Sequence, residues 1–142
     1  MESKLQTISQ VRSKFALSEV LGYMKEKEKI DKETRNFVIG APSVILQNGL
    51  GQALAFWASK VNSENNNERD RYWFILDAIT AWLIEIGIFK ANSDDQKKYK
   101  QLIKYIGKEF SQKDYIKAQK EVIFFLEWMK RYANAFWEVD KD

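Results

Sequence analysis

Arg69-Asp70-Arg71-Tyr72-Trp73-Phe74-Ile75-Leu76-Asp77-Ala78-Ile79-Thr80-Ala81-Trp82-Leu83-Ile84-Glu85-Ile86 is the stretch that decides the fold. Read as a helix, it sets Tyr72, Trp73, Ile75, Leu76, Ile79, Trp82, Leu83 and Ile86 around most of its circumference. Only a narrow polar stripe through Asp70, Asp77 and Glu85 remains. A helix apolar on nearly every side must be surrounded by other elements, so this segment predicts the central, most buried helix of an all-α bundle. Asp77 and Glu85 also interrupt the longest apolar run, Tyr72 to Phe89, which argues against a membrane span.

Working outward toward the N-terminus, residues 61–68 (Val-Asn-Ser-Glu-Asn-Asn-Asn-Glu) are too polar to pack and predict a mobile loop. Before it, Leu50, Leu54, Phe56 and Trp57 form a short helix ending near Lys60, entered through Asn48-Gly49, a pair suited to a left-handed helix end. Asp31 is positioned to cap a helix from Lys32. Gly40-Ala41-Pro42 should kink or restart that helix, since proline lacks the backbone donor. Leu5, Ile8, Val11, Phe15 and Ala16, continued by Val20, Leu21 and Met24, predict a first helix over roughly Glu2 to Lys27.

Toward the C-terminus, Gly87 ends the central helix and Ser93 or Asp94 can cap the next. That helix has a core face of Tyr99, Leu102, Ile103 and Ile106 and stops before Gly107. Ser111-Gln112-Lys113-Asp114 resembles a capping box, with Asp114 where Glu or Gln is usual. The last helix, Gln112 to about Trp137, carries Tyr115, Ala118, Val122, Phe125, Met129, Tyr132 and Phe136 at alternating steps of three and four, a stripe widened by Phe124 and Trp128. The expectation is one domain over residues 1–142: a compact bundle of about five to six helices, one kinked or interrupted at Pro42.

Composition agrees with that reading. In 142 residues, 45% apolar and 14% aromatic side chains suffice for one core, and a single Pro with six Gly leaves few forced turns. The absence of Cys and His removes disulfides, thiolate zinc sites, serine triads and cysteine–histidine pairs, and it suits a reducing, cytoplasmic setting. No Gly-rich phosphate loop with its strand and helix context is present, so no cofactor or metal is expected. Asp70, Asp77 and Glu85 share one helical face, but no oxyanion donor or cation is arranged beside them. A solvated stripe, or one that meets a basic face on a neighbouring subunit, is the expectation rather than a carboxylate enzyme.

Positive charge exceeds negative by only +3, yet it is patterned. Lys97, Lys100, Lys104 and Lys108 recur at three and four along one helix, and Lys113, Lys117 and Lys120 at the start of the next. Such stripes can follow a phosphate backbone without sequence preference; they are also what an ordinary solvated helix face carries.

Ser43-Val44-Ile45-Leu46-Gln47-Asn48-Gly49-Leu50-Gly51-Gln52-Ala53-Leu54-Ala55-Phe56-Trp57-Ala58-Ser59-Lys60 resembles the small α-helical subunit of the type III-B CRISPR effector, the Cmr complex. Its hallmark is an apolar run, Asn-Gly-Leu, a small polar step, Leu-Ala-Phe and a Ser-Lys ending. Arg12-Ser13-Lys14-Phe15-Ala16 and Phe125-Leu126-Glu127-Trp128-Met129-Lys130-Arg131-Tyr132-Ala133 sit in the expected order, so the similarity covers nearly the whole chain. Ala41 before Pro42, Trp57 after Phe56, and the Asn-rich segment depart from the pattern. A type III-A small subunit is also short, helical and basic; the Asn-Gly-Leu segment decides for III-B.

The resemblance implies a non-catalytic role in antiviral defence. Several copies stack in a row beside the other Cmr subunits and help hold target RNA against the crRNA through backbone contacts, with no membrane involved. By position in the matching stretches, Lys14, Arg35, Lys60, Lys130 and Arg131 become candidates for RNA or partner contact, with Lys104 and Lys108 from the charge pattern. Asn48 and Gly49 are candidates for a structural turn, and Phe56 and Trp57 belong to core or interface rather than to a base-stacking platform. The rival class is a helical adaptor whose basic residues pair with acidic protein surfaces and never meet RNA.

Overall fold

Helix starts in this chain follow side chains that take up free backbone N–H groups. In the computed structural model, which describes residues 6–92 and 96–139, the first of them is Thr7. Its Oγ1 accepts from Gln10 N (3.1 Å) while Gln10 Oε1 accepts from Thr7 N (2.8 Å), a reciprocal box that opens α1, Ile8–Lys27. The helix thus begins later than the apolar spacing from Glu2 suggests. Asp31 caps α2, Lys32–Asn48, as expected. Gly49 joins it to α3, Leu50–Lys60.

The Asn-rich segment is the main correction. Asn65 Oδ1 accepts from Glu68 N (2.9 Å), so α4 runs Asn66–Glu85 and its first turn takes up residues expected in a loop. Polarity there reflects a helix start, where Asn is a preferred cap, rather than an unpacked stretch. Of the kink or restart expected at Pro42, the restart does not occur, and α2 passes through it as one helix. Pro42 is buried and lacks only the donor that would have reached Val38, a loss the flanking turns and core packing absorb. Gly87, at φ +81°, terminates α4 as expected. α5 runs Lys98–Lys108, through Gly107 rather than ending before it, and the proposed caps Ser93 and Asp94 lie outside the described residues. Ser111 Oγ accepts from Asp114 N (3.1 Å) and opens α6, Gln112–Phe136.

These six helices, with no strand among the described residues, pack so that α1 and α6 run parallel. Arg12 reaches Glu121, and the Val20 carbonyl accepts from the Trp137 indole (3.0 Å). α4 lies antiparallel to both: Phe15 packs on Trp82 at one level, and Tyr23 packs on Phe74 and Trp137 at another. Trp82 stacks on Phe125 at 5.5 Å and 9°, with Ile75, Leu76, Ile79 and Leu83 buried around it, so α4 is central as its sequence requires. Each such fully buried side chain contributes about 1.5–3 kcal/mol.

A polar knot ties α2 to α4. Arg71 donates to Thr34 Oγ1 and to Asp31 Oδ2 (both 3.0 Å), while Thr34 donates to Asp31 through both its hydroxyl (2.6 Å) and its backbone N–H (3.1 Å). Burial pushes the Asp31 carboxyl up, but the Thr34 and Arg71 hydrogen bonds outweigh it and hold the group below the usual aspartate range. A depressed folded-state pKa gives stability that is present above the unfolded value near 3.8 and lost as pH falls through the lower folded one. Asp31→Asn should therefore lower stability at pH 7, and chemical denaturation should show its deficit shrinking once pH falls below that window. A deficit equal at pH 7 and pH 2 would refute the charge-based account.

Candidate nucleic-acid and partner interface

The elbow between α2 and α3 is built from Gly49, whose φ of +85° and ψ of 156° are open in practice to glycine alone. Its N–H donates to Ile45 O (2.8 Å), and Asn48 Nδ2 donates to Val44 O (3.2 Å), so the pair closes the end of α2. No side chain of the elbow caps α3. Its first free donors go instead to α6: Leu50 N to Gln119 Oε1 (2.8 Å) and Gly51 N to Tyr115 Oη (2.9 Å). Tyr115 and Gln119 are partners of this elbow that local reading missed.

The cationic candidates separate into groups. Ser13 Oγ and Tyr132 Oη share a 2.5 Å hydrogen bond, which brings Lys14, next to Ser13, and Arg131, next to Tyr132, onto adjoining parts of α1 and α6. Lys14 and Arg131 are exposed and Lys130 is half-buried. None of the three forms an ion pair among the described residues. Arg35, by contrast, is engaged within the fold: Nε donates to Trp137 O and Nη2 to Asn134 Oδ1 (both 3.0 Å), pinning the end of α6 onto α2. Lys60 lies over the Phe56 ring at 5.3 Å. Trp57 is buried in the core, but Phe56 stays 55% exposed beside a small groove with Val44, Asn48, Gln52 and Ala53, so the two aromatics part company. Lys104 and Lys108 are exposed on α5, a helix that packs on α3 and α4 rather than against Lys14 and Arg131.

The arginine of the first matching stretch turns out to be interior. Arg12 is 8% exposed and grips Glu121 with two bonds, Nε to Oε1 (2.5 Å) and Nη2 to Oε2 (3.0 Å), while the Trp82 indole donates to Oε1 (3.1 Å). Its guanidinium also lies 5.1 Å from the Phe124 ring centre. Its place at a step of four between Ile8 and Ala16, in the apolar stripe of α1, was the available signal.

Negative charge collects at a cleft of about 560 Å³ between α1 and α4. Its walls include Tyr23, Trp73 and Phe74 and the carboxylates of Glu19, Glu26, Asp70 and Asp77. Asp70 is paired with Lys27 and with Arg69, so the lower end of the α4 stripe is not simply solvated, whereas Asp77 and Glu85 are exposed. Burial raises the Glu19 carboxyl above the usual range and the Asp77 charge raises it further. Partial burial raises Asp77 as well, with Lys98 opposing. Lys97 stands over the Trp73 ring at 5.2 Å.

A family described as CRISPR-associated protein (Cas_Cmr5) matches residues 8–136. Among solved structures, the fold is similar to the X-ray crystal structure of a CRISPR-associated Cmr5 family protein from Thermus thermophilus. That match has a TM-score of 0.67 and 24% identity, over 94% of this chain and 100% of that one. No described helix is long and apolar enough to cross a membrane.

Proposed function

The chain belongs to the Cas_Cmr5 family of CRISPR-associated proteins, and from that premise we propose that it is a non-catalytic small subunit of a cytoplasmic type III-B effector, stacked in a row of copies that helps hold target RNA against the crRNA. The observation that carries this reading is the group Lys14, Lys130 and Arg131. Helices α1 and α6 bring Lys14 and Arg131 together, with Lys130 the next residue along α6, and no acid among the described residues pairs with any of the three. Cations placed so attract a phosphate backbone by charge, leaving sequence choice to guide pairing. Arg35 serves the contact indirectly by fixing the α6 end.

Replacing both Lys130 and Arg131 by Glu in the reconstituted effector tests the reading. Target-RNA affinity should fall, and its logarithmic salt slope should flatten by about 0.7–0.9 for each phosphate contact removed. Unchanged affinity and slope, with an unchanged thermal melt, would strike these residues from the RNA surface. Photo-cross-linking of bound RNA separates this role from an adaptor that touches only protein: cross-links to this subunit are expected, and their absence favours the adaptor.

A further inference from the structure

A lysine-bearing helix start and a cleft walled by four carboxylates and Lys27 lie apart in the fold. Lys113 and Lys117 stand in the first two turns of α6. The aromatic cleft lies beside the C-terminal half of α1, which runs parallel to α6 and meets the opposite end of that helix at Trp137. From Lys117 to Trp137 is about 30 Å at 1.5 Å per residue. The α6 start is exposed, free of ion pairs among the described residues, and carries Ile116, 45% exposed, between those lysines. At the other end, Glu19 and Asp77 repel one another beside Trp73 and Phe74, and neither has a cation within 4 Å among the described residues.

We propose that the cleft between α1 and α4 is the socket of a joint between copies, receiving the lysine-rich start of α6 from a second copy of this chain. The inference rests on the stacked-row reading above and adds which surfaces meet. An incoming ammonium finds the carboxylates of Glu19 and Asp77, the latter already drawn on by Lys98. Tyr23 and Phe74 wall the cleft for its methylene stem, the Trp73 ring being held by Lys97 of the same chain. When the plug of one copy enters the socket of the next end to end, the contact is heterologous and propagates as an open row. Lysines of the α6 start then face protein, while Lys14, Lys130 and Arg131 face RNA.

The chain contains no cysteine, which makes disulfide trapping clean. Asp77 and Lys117 are too far apart for a bond within one chain. Trp82 and Glu121 lie at one level and the two helices run oppositely from there, a separation of about 13 Å along the axis against a limit near 7 Å. In the reconstituted effector, Asp77→Cys with Lys117→Cys should give, on oxidation, a ladder of covalent dimers, trimers and higher forms. Either single replacement can give at most dimers. Native mass spectrometry of the same complex counts copies. Two or more copies without a ladder would overturn the joint but leave the row standing, and one copy per complex would overturn both.

Discussion

Arg12→Ala should destabilise the fold by about 3 kcal/mol, the lower end of the range for breaking a buried ion pair, because the Glu121 it leaves behind keeps some access to water. The Arg12 and Glu121 side chains are 9% and 16% exposed, and the forked geometry satisfies both carboxylate oxygens from α1 while the Trp82 indole adds a third donor from α4. Removing the guanidinium leaves a carboxylate with one neutral donor in a tight interior. For a domain of this size the melting temperature should fall by roughly 10 °C, and urea denaturation should show the midpoint shift with an unchanged slope. Arg12→Met combined with Glu121→Met should lose less than the two single changes summed, since no charge is then stranded and only the indole lacks a partner. A single-variant loss below about 1 kcal/mol would mean that water already shares the site.

Gly49→Val should be nearly as harmful, at about 3 kcal/mol, for two separable reasons. The backbone conformation is strained for any residue with a Cβ, on the order of 1–3 kcal/mol, and the new Cβ would stand 3.2 Å from Tyr115 Oη. That hydroxyl caps Gly51 N, so the push falls on the hydrogen bonds that start α3. Gly49→Ala in a Tyr115→Phe background, where no hydroxyl meets the new Cβ, isolates the backbone part, and Tyr115→Phe alone gives the cap at about 1 kcal/mol. Circular dichroism melts rank the three, and a Val variant no worse than Tyr115→Phe would contradict the strain assigned to this turn.

Much of the bundle is legible locally. The all-round apolarity of α4, the three-and-four stripe of α6 and the Asp31 cap are properties of a few adjacent residues, and each appears in the structure. The errors share a cause: local chemistry permits two outcomes and packing selects one. The Asn-rich stretch reads equally as loop or helix start, and Pro42 as a restart or a residue inside a continuous helix. The candidate site was legible only as a set of cations. Arg35 and Lys14 look alike in sequence, yet one holds the α6 end and the other faces solvent.

By itself the sequence determined the helical class, the positions of the central and final helices, the glycine-dependent elbow, and the exclusion of imidazole and thiol chemistry, because each follows from side-chain type and spacing along one segment. Only the tertiary structure decided that Glu121 is the partner of Arg12, that Tyr115 and Gln119 cap a helix more than sixty residues earlier, and that Lys27 pairs with Asp70 across α1 and α4. Those pairings depend on which helices run parallel and at what level they meet. Packing of the whole core sets both, and no local pattern encodes either.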